Sequence, residues 1–103
     1  MGIREDVCAP GGILREIGAT AAEFERGLRL AVGTALSMPR PGLLRVDDPD
    51  TVLEVTLTEM PDRTIGLFRI PVLHAQLCFL TGSRAARQTL LARIDLAMQR
   101  GGG

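Results

Sequence analysis

The chain alternates strictly in its middle and keeps helical spacing on either side. From Thr51 to Met60, Leu53, Val55 and Leu57 face one way and Glu54, Thr56 and Thr58 the other, the pattern of a half-buried strand. A second extended run, 64–80, folds back on it. Its later half places Leu73, Ala75, Leu77 and Phe79 on one face. Val72, His74, Gln76, Cys78 and Leu80 share the other. Pro61-Asp62-Arg63 reads as the connecting turn, because proline presets φ. Pro71 cannot donate a ladder hydrogen bond and marks a bulge, an edge or a break. Leu67, Phe68, Ile70 and Val72 around it read as core, or as a pairing site if they lie on an edge.

A first helix is predicted after Thr20, where Thr20-Ala-Ala-Glu23 matches a capping box. Phe24, Leu28, Ala31, Val32 and Ala35 recur on one of its faces. Glu25 and Arg29 stand one turn apart on the outside, and Pro39 and Pro41 are expected to end it. A last helix starts at Ser83, its expected cap, with a stripe of Ala86, Leu90, Ile94, Ala97 and Met98 helped by Leu91. Gly101 is its expected stop. Ile13–Ile17 and Leu43–Val46 are shorter candidate strands, the latter followed by a polar turn at Asp47-Asp48-Pro49-Asp50.

These elements run β-α-β-β-β(-β)-α. The fold class is α+β: a single antiparallel sheet of four or five strands with two helices on one face. The order is similar to the TATA-binding-protein-like topology class at the level of elements alone, which carries no function. At 103 residues the chain makes one domain, over 12–100, with a flexible arm at 1–11 and a glycine tail at 101–103.

Composition narrows the chemistry. The sequence has no Lys, Asn, Tyr or Trp, so all 12 basic residues are Arg, and His74 is its single histidine. No lysine can form a Schiff base and no tyrosine can act as an acid. The bias points to a GC-rich bacterial genome. Formal net charge is zero, with 12 acidic and 12 basic residues, which disfavours nucleic acid as a partner and leaves self-association unopposed. No run is long and apolar enough for a membrane span, and the charged N-terminus carries no secretory pattern. The expected setting is cytoplasmic.

Candidate chemistry is sparse. His74 and Cys78 are four apart, which on a strand separates them by roughly 13 Å. No catalytic residue is assigned, and Cys8 and Cys78 are read as isolated thiols. No close ligand pair of the kind structural zinc uses occurs, and no metal or cofactor is assigned. Asp47, Asp48 and Asp50 fail the calcium-loop pattern at Val52 and Thr58. Arg84 and Arg87 occupy the first turn of a helix, where the dipole disfavours cations. With Ser83 they form a candidate anion site. The tail Arg100-Gly101-Gly102-Gly103 resembles those of ubiquitin-like sulfur carriers, but a helix rather than a strand leads into it.

The expected function is a non-enzymatic interaction or assembly module, homodimeric or bound to a protein partner through an open sheet face or an edge strand. Thr56, Thr58, His74, Gln76 and Cys78 are the sheet-face candidates. The alternatives are an anion- or nucleotide-binding domain at Ser83, Arg84 and Arg87, and a thiol- or metal-dependent enzyme or carrier.

Overall fold

The computed structural model describes residues 12–102. Along the chain come β1 (Ile13–Ile17), α1 (Ala21–Val32), a 3-10 turn (Gly33–Ala35), β2 (Leu36–Arg40), β3 (Leu43–Asp48), β4 (Thr51–Ile65), β5 (Phe68–Thr81) and α2 (Arg84–Gly102). The strands form one antiparallel five-stranded sheet in the order β1-β5-β4-β3-β2. This is the α+β architecture expected from the pattern. The arm at 1–11 and the end of the tail lie outside the described residues.

The alternating faces decide the layers. Leu53 and Val55 of β4 and Leu73, Ala75 and Leu77 of β5 pack with Phe24 and Leu28 of α1 and Leu90 and Ile94 of α2. Leu36, Leu44 and Val46 extend this core under β2 and β3. Both helices therefore cover the same side of the sheet. The capping box forms as its residues require: Glu23 N donates to Thr20 Oγ1 at 3.1 Å, and Thr20 N donates to Glu23 Oε1 at 2.9 Å. Arg29 and Glu25 pair at 2.8 Å.

Four local expectations are corrected. The first helix stops at Gly33, not at the prolines. Gly33 has φ 61° and ψ −130°, a conformation open to glycine, and its N–H closes the last turn on Arg29 O. The residues read as the helix tail become strand β2, and Pro39 is tolerated there because β2 is an edge. Pro61-Asp62-Arg63 is not a turn. β4 continues to Ile65, and the chain reverses at Gly66-Leu67 between the paired Ile65 and Phe68. Gly66 has φ 60°, and among the described residues no residue other than glycine has positive φ, which fits a type II′ hairpin turn. Finally, α2 runs to Gly102, so Gly101 does not end it.

The prolines instead mark a bulge. Met60 pairs with Val72 and Arg63 with Ile70, so Pro61 and Asp62 together oppose Pro71. Neither proline has an N–H to offer the ladder, and the irregularity falls where both stand.

Gly82, between β5 and α2, has φ +117°, and a Cβ there would lie 2.6 Å from Thr51 Cγ2 and 3.0 Å from Asp50 O. Gly82→Ala should cost about 2 kcal/mol or more in urea unfolding, from backbone strain plus this overlap. Leu77→Ala should cost about 3 kcal/mol. A Gly82→Ala protein as stable as the wild type would show that the turn relaxes freely.

Candidate functional site

The open face of the sheet is read off the register. One row holds Arg45, Glu54 and Cys78. The next holds Leu43, Thr56, Gln76 and Leu14. Thr58, His74 and Glu16 follow, then Met60 and Val72. The bulge adds one residue to β4 alone, so the rows continue as Arg63–Ile70 and Ile65–Phe68. Thr56, Thr58 and Gln76 are exposed and His74 is half-buried, whereas Glu54, Cys78 and Leu43 are buried. The face is thus wet in its middle rows and closed at one end.

The structure does not bring His74 and Cys78 together. Gln76 stands between them on the strand, and their cross-strand neighbours differ. His74 Nε2 lies 3.3 Å from Glu16 Oε1, while Cys78 opposes Glu54. Cys78 is disulfide-bonded, which corrects its reading as an isolated thiol. In this state it offers no thiolate. Cys8 lies outside the described residues. Among the described residues, no group of three or more His, Cys, Asp or Glu side chains is placed to hold a metal.

Two charge clusters hold the face. Arg63 Nη2 donates to Glu16 Oε2 at 2.6 Å, joining β4 to β1 across β5. Arg45 bonds Asp47 at 3.1 Å and Glu54 at 3.2 Å. A guanidinium is suited to this double role because its donors form a planar fork. The bond from Arg63, then that from His74, holds the Glu16 carboxyl below its ordinary value.

At the start of α2, Ser83 Oγ accepts from Ala86 N at 3.1 Å and caps the helix. Arg87 does not reach out to solvent as a free cation. Its Nε donates to Gly82 O at 2.9 Å, and its guanidinium lies 5.7 Å from the Phe79 ring centroid. Arg84 is exposed and makes no ion pair among the described residues. The three residues are therefore adjacent but differently engaged.

The most exposed apolar surface lies where core was expected. Beyond Thr56 β4 has no β3 partner, and before Leu73 β5 has no β1 partner. The hairpin continues as a two-stranded ribbon. Leu67 is 100 % exposed, Phe68 72 % and Ile65 55 %. Hydrophobic density alone read this segment as buried. The Gly66-Leu67 turn between two extended runs is the signal that places it at a tip.

No protein-family model matches the chain, and a search of curated proteins finds no match. Among the described residues, no helix is long and apolar enough to cross a membrane.

The depressed Glu16 carboxyl has a signed consequence. Its stabilisation is complete above the ordinary value of 4.5 and disappears as pH falls through the lower folded value. Arg63→Gln should raise the Glu16 titration, read by carboxyl NMR. Coincident Glu16 titrations in the wild type and Arg63→Gln would sink this assignment.

Proposed function

We propose that this protein is a non-enzymatic interaction module that pairs with a second copy of itself through the open sheet face. The observation that carries this reading is the apolar end of that face. Ile65 and Phe68 are exposed side by side, Ile70, Met60 and Val72 continue the strip half-buried, and Leu67 caps the tip. Isolated exposed apolar residues are ordinary, but a contiguous strip marks a contact. A two-stranded ribbon without a third strand also gains stability from packing on something else.

A twofold pairing suits such a strip, because the same patch then serves both partners. Zero net charge leaves no bulk repulsion to oppose it. The wet middle rows, with Thr56, Thr58, Gln76 and the His74–Glu16–Arg63 cluster, supply the polar rim such contacts carry. The disulfide at Cys78 bears on the proposed cytoplasmic setting. Cytosolic thiols are kept reduced, so in that compartment Cys78 would be a thiol. Thiol counting on freshly lysed cells decides between the two.

Sedimentation velocity tests the pairing. The wild type should form a dimer whose dissociation constant rises at least about tenfold in Ile65→Ser/Phe68→Ser, a loss of about 1.4 kcal/mol or more. Monomer stability in urea should change by less than about 1 kcal/mol, because both side chains are exposed. A wild type that stays monomeric to about 100 μM would overturn the proposal.

A further inference from the structure

We infer that the groove between the free edge of β1 and the flank of α2 takes an extended peptide as an added antiparallel strand, with the peptide's terminal carboxylate at Arg84. This surface is distinct from the hairpin strip, and the inference goes beyond the self-association reading.

The two sheet edges differ. β2 carries Pro39 and an irregular register between Ser37 and Arg40, features that blunt an edge. β1 has neither proline nor glycine, and all five of its residues keep regular register with β5, from Ile13–Leu77 to Ile17–Leu73. Among the described residues nothing pairs with its other side. That side presents backbone donors and acceptors ready for another strand.

The edge is flanked by α2 rather than by open solvent. At one end a groove of about 570 Å³ is lined by Ile13, Phe79, Arg84, Arg87 and Leu91 among others. At the other end a groove of about 600 Å³ is lined by Arg15, Ile17, Asp95 and Met98 among others. The Arg15–Asp95 bond, 3.1 Å long, ties β1 to α2. Alternate side chains of an added strand would meet the apolar Leu91 and Met98, the arrangement by which strand addition gains specificity.

Polarity follows from the topology. A strand antiparallel to β1 runs in the direction of β5, and β5 ends where α2 begins. The peptide's C-terminus therefore arrives at Arg84, which is exposed and has no acidic partner among the described residues. Arg87 is held beside it by Gly82 O and the Phe79 ring. Ser83 Oγ takes the N–H of Ala86, which leaves the first-turn N–H groups of Arg84 and Ala85 without intrahelical acceptors. A carboxylate there offsets the cost of a cation at the positive end of the helix dipole. A parallel strand would place an ammonium there instead. Five β1 residues match a peptide of about five residues at roughly 3.3 Å each.

The test is a random heptapeptide library displayed with free C-termini, followed by fluorescence anisotropy of the enriched peptides. The expected result is a consensus with apolar residues at alternate positions. Binding should fall at least about tenfold on C-terminal amidation and in Arg84→Glu, with amide shifts confined to 13–17 and the start of α2. The hairpin variant Ile65→Ser/Phe68→Ser should bind the same peptides as the wild type. A monomeric protein that still binds them would overturn the self-association reading and leave this one standing. No enrichment, indifference to amidation, or occupation of the β1 edge by a second copy's β1 would overturn the inference.

Discussion

The structure hangs on the β4–β5 ladder. Leu53, Val55, Leu73, Ala75 and Leu77 lie on its inner face and are almost wholly buried. β3 and then β2 attach to β4, β1 attaches to β5, and both helices cover that face. Side chains alternate strictly on a strand, so burying one set commits the intervening residues to the open side. Thr56, Thr58, His74 and Gln76 form that face because Leu57, Leu73, Ala75 and Leu77 must be inside. The candidate surface is thus a consequence of the core rather than an addition to it.

The bulge changes what that surface is made of. Without the additional β4 residue, even-numbered positions would stay on the open side to the tip, and Asp62 and Thr64 would stand beside Ile70 and Phe68. With it, Arg63 and Ile65 take those places. The register slip sets Ile65 beside Phe68 and points Arg63 at Glu16, 2.6 Å away. Two prolines that cannot serve the ladder mark where the slip falls. A backbone constraint thereby sets the chemistry of the exposed face several residues further on.

What the sequence made legible follows the same physics. Alternation over 53–60 and 72–79, the capping box at Thr20 and Glu23, and the helical stripe from Ala86 to Met98 are short-range patterns, and each is present as read, whereas Leu80 falls at a register shift between Val52 and Leu53. β2 was hidden because Leu36 follows in helical register after Val32, and only the glycine conformation at Gly33 breaks it. The tip was hidden because Pro61-Asp62 is the stronger turn signal, although the turn falls at Gly66-Leu67. Hydrophobicity at Leu67 and Phe68 says that burial is favourable, not that this chain supplies it. The buried state of Leu43, Glu54 and Cys78 within the open face depends on surroundings that a period-two pattern does not encode.

An arginine-only set of cations is informative once the partners are known. Arg15, Arg29, Arg45, Arg63 and Arg93 pair with carboxylates, and Arg87 binds a carbonyl and an aromatic face. Arg15, Arg63 and Arg93 join elements distant in sequence, which is reason enough for their presence. Among the described residues Arg26, Arg40, Arg69 and Arg84 remain without an ion pair and exposed. Arg26, Arg40 and Arg69 stand on surface positions where a solvated cation costs nothing. Arg84 alone occupies the first turn of a long helix, where the backbone already concentrates positive charge. Among the described residues no anion stands beside that position, and its local electrostatics favour one. The neighbouring β1 edge offers the backbone to which a chain end bearing that anion can attach.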